Sequence, residues 1–235
     1  MRHTQTIRSR IPNINKQDGT KTKTEQETAS ILCEYFASTF VQEKDINHED
    51  STADSDQLVI TVSEDLVLKT LSRLKPDKSP GPDNMHPMLL RETAHCITQP
   101  LTWIFQKSVE EGIVPDDWKR ANITPIFKKG SKSAAENYRP ISLTSCVCKV
   151  LETIIKVQMT AFLEARKQIT NRQHGFVSGR SCLTNLLEVF EDWTRSLDER
   201  YGIDVIYLDY RKAFDTVAHQ TYQETATNRI WWKFD

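Results

Sequence analysis

The run Ile203-Asp-Val-Ile-Tyr-Leu208 constrains the fold more than any other stretch of this chain. Apart from Asp204 it is apolar on both faces, and a strand of that kind needs sheet neighbours and covering helices. Two amphipathic stretches precede it. Val150, Leu151, Ile154, Ile155 and Phe162 recur at helical spacing between Cys148 and Arg166, and Leu183, Leu186, Leu187, Phe190 and Leu197 do so between Ser181 and Arg200. The pattern predicts an α+β fold with both helices packed on one side of a central strand. With 235 residues, 38% of them hydrophobic, the chain is long enough to bury a sizeable core. No apolar run approaches the roughly 18 residues that cross a bilayer, so no membrane association is expected.

Upstream, a polar lead-in is followed from Thr24 to Val41 by Ala29, Leu32, Phe36 and Phe40 at three- and four-residue intervals, the pattern of an appended or docking helix. Gln42 to Gln57 is acidic, rich in Ser and Asp, and reads as a linker. Ser63 before Glu64, Asp65, Val67, Leu71 and Leu74 predicts a capped helix start. Lys75 to Asn84 holds three prolines and a glycine, which excludes helix and strand. From His86 to Glu111 the spacing is helical, with a break expected at Pro100 and a stop at Gly112. Ala121 to Lys128 and Tyr138 to Leu143 read as strands of a hairpin around Lys129-Gly-Ser-Lys132. The expected organisation is therefore lead-in, helix and linker over 1–57, a hairpin-bearing region over 58–145, a sheet-and-helix region over 146–219, and a divergent tail over 220–235.

Net charge is −1, so global charge predicts no nucleic-acid binding, but its distribution does. Residues 41–65 are strongly acidic, whereas Lys119, Arg120, Lys128, Lys129, Lys132 and Arg139 face Glu136 alone between 118 and 139. Such a patch binds phosphates in a neutral protein. Cys33, Cys96, Cys146, Cys148 and Cys182 are odd in number and scattered, which fits a reducing compartment. None has zinc-finger spacing, and no structural zinc is expected. The first 24 residues carry Arg2, Arg8, Arg10 and Lys16 without an apolar core, so no secretory signal is read there. The expected location is inside the cell, in nucleus or cytoplasm.

Asp209 closes the apolar run. By period-two counting it shares a face with Val205 and Tyr207, so its carboxylate emerges at a strand's C-terminal end, a position suited to a metal ion although an aspartate there is more often a helix N-cap or a turn residue. The phrase around it is more specific. Ile206-Tyr-Leu-Asp-Tyr-Arg-Lys-Ala-Phe-Asp-Thr-Val217 resembles the first catalytic motif of reverse transcriptases from non-LTR (LINE-type) retrotransposons. Three further blocks stand in the family's order: Lys75-Pro-Asp-Lys-Ser-Pro-Gly-Pro-Asp83; Ile123 to Gly130 leading to Asn137-Tyr-Arg-Pro-Ile-Ser-Leu143; and Gln173-His-Gly-Phe176 leading to Gly179-Arg-Ser181. The resemblance spans about Glu25 to His219.

The resemblance implies RNA-directed DNA synthesis, in which nucleotide is transferred from a dNTP to a primer 3′ hydroxyl by two divalent ions, Mg²⁺ in this reading. Asp209 would be catalytic and a metal ligand. Phe214 would pack under the incoming sugar or anchor the next turn, and Asp215 would cap that turn. Lys128, Lys129 and Arg139 would grip the triphosphate, two point charges and one planar fork. Gln173, Gly175, Phe176 and Arg180 would meet the template strand, although Val177 stands where many relatives have arginine. Pro80 to Asp83 would form a rigid turn without catalytic role. The implied fold is an incomplete right-hand polymerase, fingers plus the start of a palm, and the implied partners are RNA template, DNA primer, dNTP and a fuller product of the same element.

The family's aromatic-x-Asp-Asp hairpin is not found downstream, and Asp116-Asp117 lies in a turn upstream of Asp209. Ala218-His219 replaces the family's Pro-His, and the tail with Trp231-Trp232 departs from the family, which reads as a truncated or re-spliced frame. A lone carboxylate cannot hold two ions, so this chain by itself is expected to be inactive. The alternative is a noncatalytic nucleic-acid-binding or unproductive remnant of a mobile element. A third reading, Asp209 as general base, has only His219 as a nearby partner.

Overall fold

A computed structural model describes residues 11–16, 18–39 and 58–210. The linker expected at 42–57, Phe214, Asp215 and the tail at 220–235 lie outside the described residues. The elements are α1 (Glu25–Ala37), α2 (Glu64–Ser72), α3 (Pro87–Glu92), α4 (Ala94–Glu111), α5 (Asp116–Lys119), β1 (Ala121–Phe127), β2 (Tyr138–Thr144), α6 (Cys146–Ala165) and α7 (Cys182–Asp198). Mixed helix and antiparallel sheet make the fold α+β. The chain falls into two compact units, one running up to Ile154 and one from Ile155 to Lys212.

In the first unit, helix starts follow the capping residues. Thr24 accepts the Glu27 N–H at 3.1 Å to open α1, and Ser63 caps α2 through Leu66. Val67 and Leu71 of α2 are fully buried and pack with α4, where Phe105 is also fully buried and meets Trp118 edge-to-face at 5.6 Å. Gly112 ends α4 in the left-handed conformation, φ 66°. The break in the helical stretch is at Thr93, not at Pro100. Pro100 removes one N–H, yet it lies inside a continuous α4 that runs from Ala94 to Glu111.

β1 and β2 form a two-stranded antiparallel ribbon in which Ala121 pairs Thr144 and Phe127 pairs Tyr138. α1 docks on it, with Leu32, Phe36, Ile14 and Tyr138 forming one buried cluster. The polar lead-in contributes more than its composition suggests. Ile14 is fully buried, its N–H bonds Thr22 Oγ1 at 2.9 Å, Thr22 and Thr28 pair hydroxyls at 2.8 Å, and the Asn15 N–H reaches the Ser133 carbonyl at 2.7 Å.

The proline-rich loop is locked onto the β2–α6 junction. Ser145 Oγ donates to Asp83 Oδ2 at 2.6 Å while accepting the N–H of Val147 at 3.2 Å. Gly81 lies so close that a Cβ there would sit 2.6 Å from the Thr144 backbone, which requires glycine.

The second unit departs from the sequence expectation. Residues 201–210 form no strand, and Ile206 and Leu208 are 82% and 89% exposed. α7 buries none of its residues, and its apolar stripe is exposed. The reason is hydrogen bonding: a strand apolar on both faces forms only beside other strands, and the two among the described residues pair with each other.

Candidate nucleic-acid interface

The ribbon's register sorts its side chains into two faces. Ile123, Pro125, Phe127, Tyr138, Pro140 and Ser142 face α1 and the lead-in, and the opposite face carries Ile126, Lys128 and Arg139. Lys128 extends the ladder through its N–H to the Asn137 carbonyl at 2.8 Å. It therefore stands diagonally across from Arg139, a spacing of about 7–8 Å and somewhat less between Cβ atoms. Both are exposed, as is Lys129. Gly130 turns the chain at φ +85°, with a Cβ position crowded to 2.7 Å by the Asn137 amide. Tyr138, buried on the α1 side, donates to the Lys132 carbonyl at 2.7 Å, and burial pushes its phenol pKa up. The hairpin thus braces its apolar face and offers Lys128 and Arg139 on the opposite one, with Lys129 exposed at the turn.

Gln173, Gly175, Phe176 and Arg180 share one loop in the second unit. Arg172 pairs Asp192 of α7 at 2.9 Å, and that guanidinium holds the Asp192 carboxyl below its usual range. His174, buried, places Nδ1 2.9 Å from Thr184 Oγ1. Thr184 spends its own hydroxyl proton on the Ser181 carbonyl, so we assign the imidazole as the donor. Nε2 lies 3.1 Å from Glu188 Oε2 but off the hydrogen-bonding direction, an ion pair when the ring is protonated. The Arg180 guanidinium returns to the Asn171 carbonyl, and Gln173 Nε2 donates to the Gly175 carbonyl at 2.8 Å. These bonds stretch the loop along α7 and leave Phe176 in solvent, 94% exposed.

Asp209 is exposed in the extended segment. Among the described residues no three His, Cys, Asp or Glu side chains come together as a metal site, so they do not fit a divalent ion. No helix among them is long and apolar enough to cross a membrane. Sequence reasoning missed two positioning contacts, Asp83 to Ser145 and His174 to Thr184. The second carries a signal, because Thr184, Glu188 and Asp192 recur every four residues on one face of a helix that begins just past the loop.

Residues 126–231 match the family described as reverse transcriptase (RNA-dependent DNA polymerase). The chain is 27% identical over 212 residues to a probable RNA-directed DNA polymerase from transposon X-element of Drosophila melanogaster, covering 86% of this chain and 23% of that protein. It is 27% identical over 154 residues to the RNA-directed DNA polymerase from mobile element jockey of the same fly, 65% of this chain and 17% of that one. Over 110 residues it is 32% identical to a Pol polyprotein from retrotransposable element R2 of Popillia japonica, 47% of this chain and 15% of that one. It spans less than a quarter of the length of these curated relatives. By these matches the chain is similar to reverse transcriptases of non-LTR retrotransposons, and the similarity to the family itself lies in residues 126–231.

Proposed function

We propose that this chain serves RNA-directed DNA synthesis by a non-LTR retrotransposon, as the part that grips the incoming dNTP and the template beside a DNA primer. The observation that carries this reading is the ribbon face with Lys128 and Arg139 at diagonal positions, exposed and backed by α1. Two cations held there at fixed spacing match neighbouring phosphate oxygens, and the arginine adds a bidentate fork. In this reading residues 58–145 are fingers and 146–219 belong to a palm of a right-hand polymerase fold, working with another product of the same element in nucleus or cytoplasm.

Mg²⁺ is the expected ion, but Asp209 among the described residues lacks the companions to hold it, and the proposed role of this chain is binding and orientation. RNA or primer–template affinity should fall steeply with salt, because released counterions supply most of it. The double variant Lys128→Ala/Lys129→Ala should lower the salt slope by about one unit per lost phosphate contact, and Arg139→Ala should do likewise. Binding indifferent to salt and to all three substitutions would sink the proposal. Asp209, exposed and without companion carboxylates among the described residues, favours a second reading, a noncatalytic nucleic-acid binder. A primer-extension assay with Mg²⁺ or Mn²⁺ separates the two: incorporation abolished by Asp209→Asn would assign catalysis to this chain, and none is expected.

A further inference from the structure

We propose that Phe176 is a stacking platform for an unpaired base of single-stranded RNA. This rests on the nucleic-acid reading above and names the chemistry of one part of that surface. Four described non-glycine residues adopt positive φ: Asn84, Lys167, Phe176 and Arg200. Asparagine tolerates that region, and Lys167 and Arg200 sit just past the ends of α6 and α7, where left-handed caps are common. Phe176, φ 62°, has neither excuse. A bulky side chain held in this conformation is a cost that persists only where the surroundings impose it, and such residues cluster at ligand sites.

The surroundings do impose it. His174 and Arg172 are tied to Thr184 and Asp192 on one side of Phe176, Gln173 bonds the Gly175 carbonyl, and Arg180 is tied back to Asn171 on the other. The ring gains no burial in exchange, so the constraint serves presentation and not packing. A ring fixed in advance loses little freedom when a base lies on it.

Charge selects the occupant. Between residues 166 and 180 the loop has no acidic residue, and although Arg172 is neutralised by Asp192, Lys167 and Arg180 leave it basic, which suits a phosphate backbone flanking the stacked base. Duplex bases have no free face, so the fit is to a single strand.

The test compares the full chain and its Phe176 variants on three probes: a short single-stranded RNA, the same strand with abasic sites, and a blunt duplex. Phe176→Ala and Phe176→Leu should each weaken binding to the ordinary strand about tenfold, with the abasic strand and the duplex unchanged, while Phe176→Trp keeps full affinity. Phe176→Gly should lose the same affinity with undiminished thermal stability, since glycine accepts the backbone angle, and this separates lost stacking from lost fold. Full binding by Phe176→Leu, or equal losses on ordinary and abasic strands, would overturn the proposal. If Phe176→Ala leaves RNA affinity untouched while Lys128→Ala/Lys129→Ala lowers it, the ring is a protein contact and the inference falls alone. If the wild-type chain binds no RNA, the proposed function falls with it.

Discussion

Helices α4 and α7 are built on the same plan, and among the described residues only α4 has its apolar face covered. α4 packs on α2, and Phe105 and Ala94 of the one and Val67 and Leu71 of the other are all nearly or fully buried. α7 has as clear a stripe, yet Leu183, Leu186, Leu187, Phe190 and Leu197 stand between 51% and 64% exposed. What holds α7 is local: a capping box between Ser181 and Thr184, the Arg195–Glu191 pair at 3.4 Å, the edge-to-face contact of Phe190 with Trp193 at 5.5 Å, and the loop tied along its polar side. The difference teaches that helical periodicity specifies a face and not its occupant. Most helix stability in proteins comes from packing that face.

Truncation is the hardest strain on this contrast. Phe105→Ala should cost about 3–5 kcal/mol in urea unfolding, and Leu186→Ala should stay within about 0.5 kcal/mol, because its side chain already meets water. A Leu186→Ala loss comparable to that of Phe105→Ala would show that α7 has a partner and break the comparison.

The two serine caps sharpen it. Ser145→Ala removes both a helix cap and the partner of Asp83, a loss of about 1–3 kcal/mol, whereas Ser181→Ala should cost about 1 kcal/mol. A double-mutant cycle between Ser145 and Asp83 should return a coupling of at least ~0.5 kcal/mol. Additivity there would mean that the loop is not locked by this bond.

Thiol chemistry follows the same division. Burial, then the neighbouring Glu152 carboxylate, pushes the Cys148 pKa up to about 12, whereas Cys182 at the start of α7 is exposed. Near pH 8 Cys148 should alkylate more than about tenfold more slowly than Cys182. The unfolded chain releases the Cys148 proton in the ordinary thiol range and the folded chain holds it until about pH 12, so rising pH favours the unfolded state across that window. Stability should decline there, and Cys148→Ser should flatten the decline. A decline that survives the substitution would assign it to other groups.

The smallest effect belongs to the exposed Arg172–Asp192 pair. With the Asp192 pKa lowered, its contribution is present above the usual aspartate range and is lost as pH falls through the lowered value. Amide shifts of residues 172–180 should track that titration, and Asp192→Asn should abolish the response. Unchanged shifts in the variant would mean that the pair does not anchor the loop.

Local chemistry was the legible part of this fold. Ser63, Gly112 and Ser181 mark helix ends because their side chains or backbone freedom act within a turn, and alternation around Gly130 marks the hairpin. What was hidden acts across distance or against type. Asp83 reaches Ser145 from 62 residues away with no periodic trace. Ile14 is buried within a polar lead-in because it joins Leu32, Phe36 and Tyr138, while Thr22 and Thr28 pair their hydroxyls beside it. Pro100 reads as a breaker but lies inside a continuous α4. At the candidate site, the cations and the loop were found as residue types, but the fixing of Phe176 by α7 belongs to folded geometry alone. Phe214 lies outside the described residues.

Pro125 and Pro140 stand directly opposite each other in the ribbon. Proline has no N–H to give, so this rung is one whose amides would point outward, away from the partner strand. Both outer margins of the ribbon therefore lack a donor at the same level. A two-stranded ribbon otherwise invites any passing chain to add itself as a third strand, and this one is blunted on both sides at mid-length. The hairpin can remain a solitary arm among many copies of itself without seeding fibres.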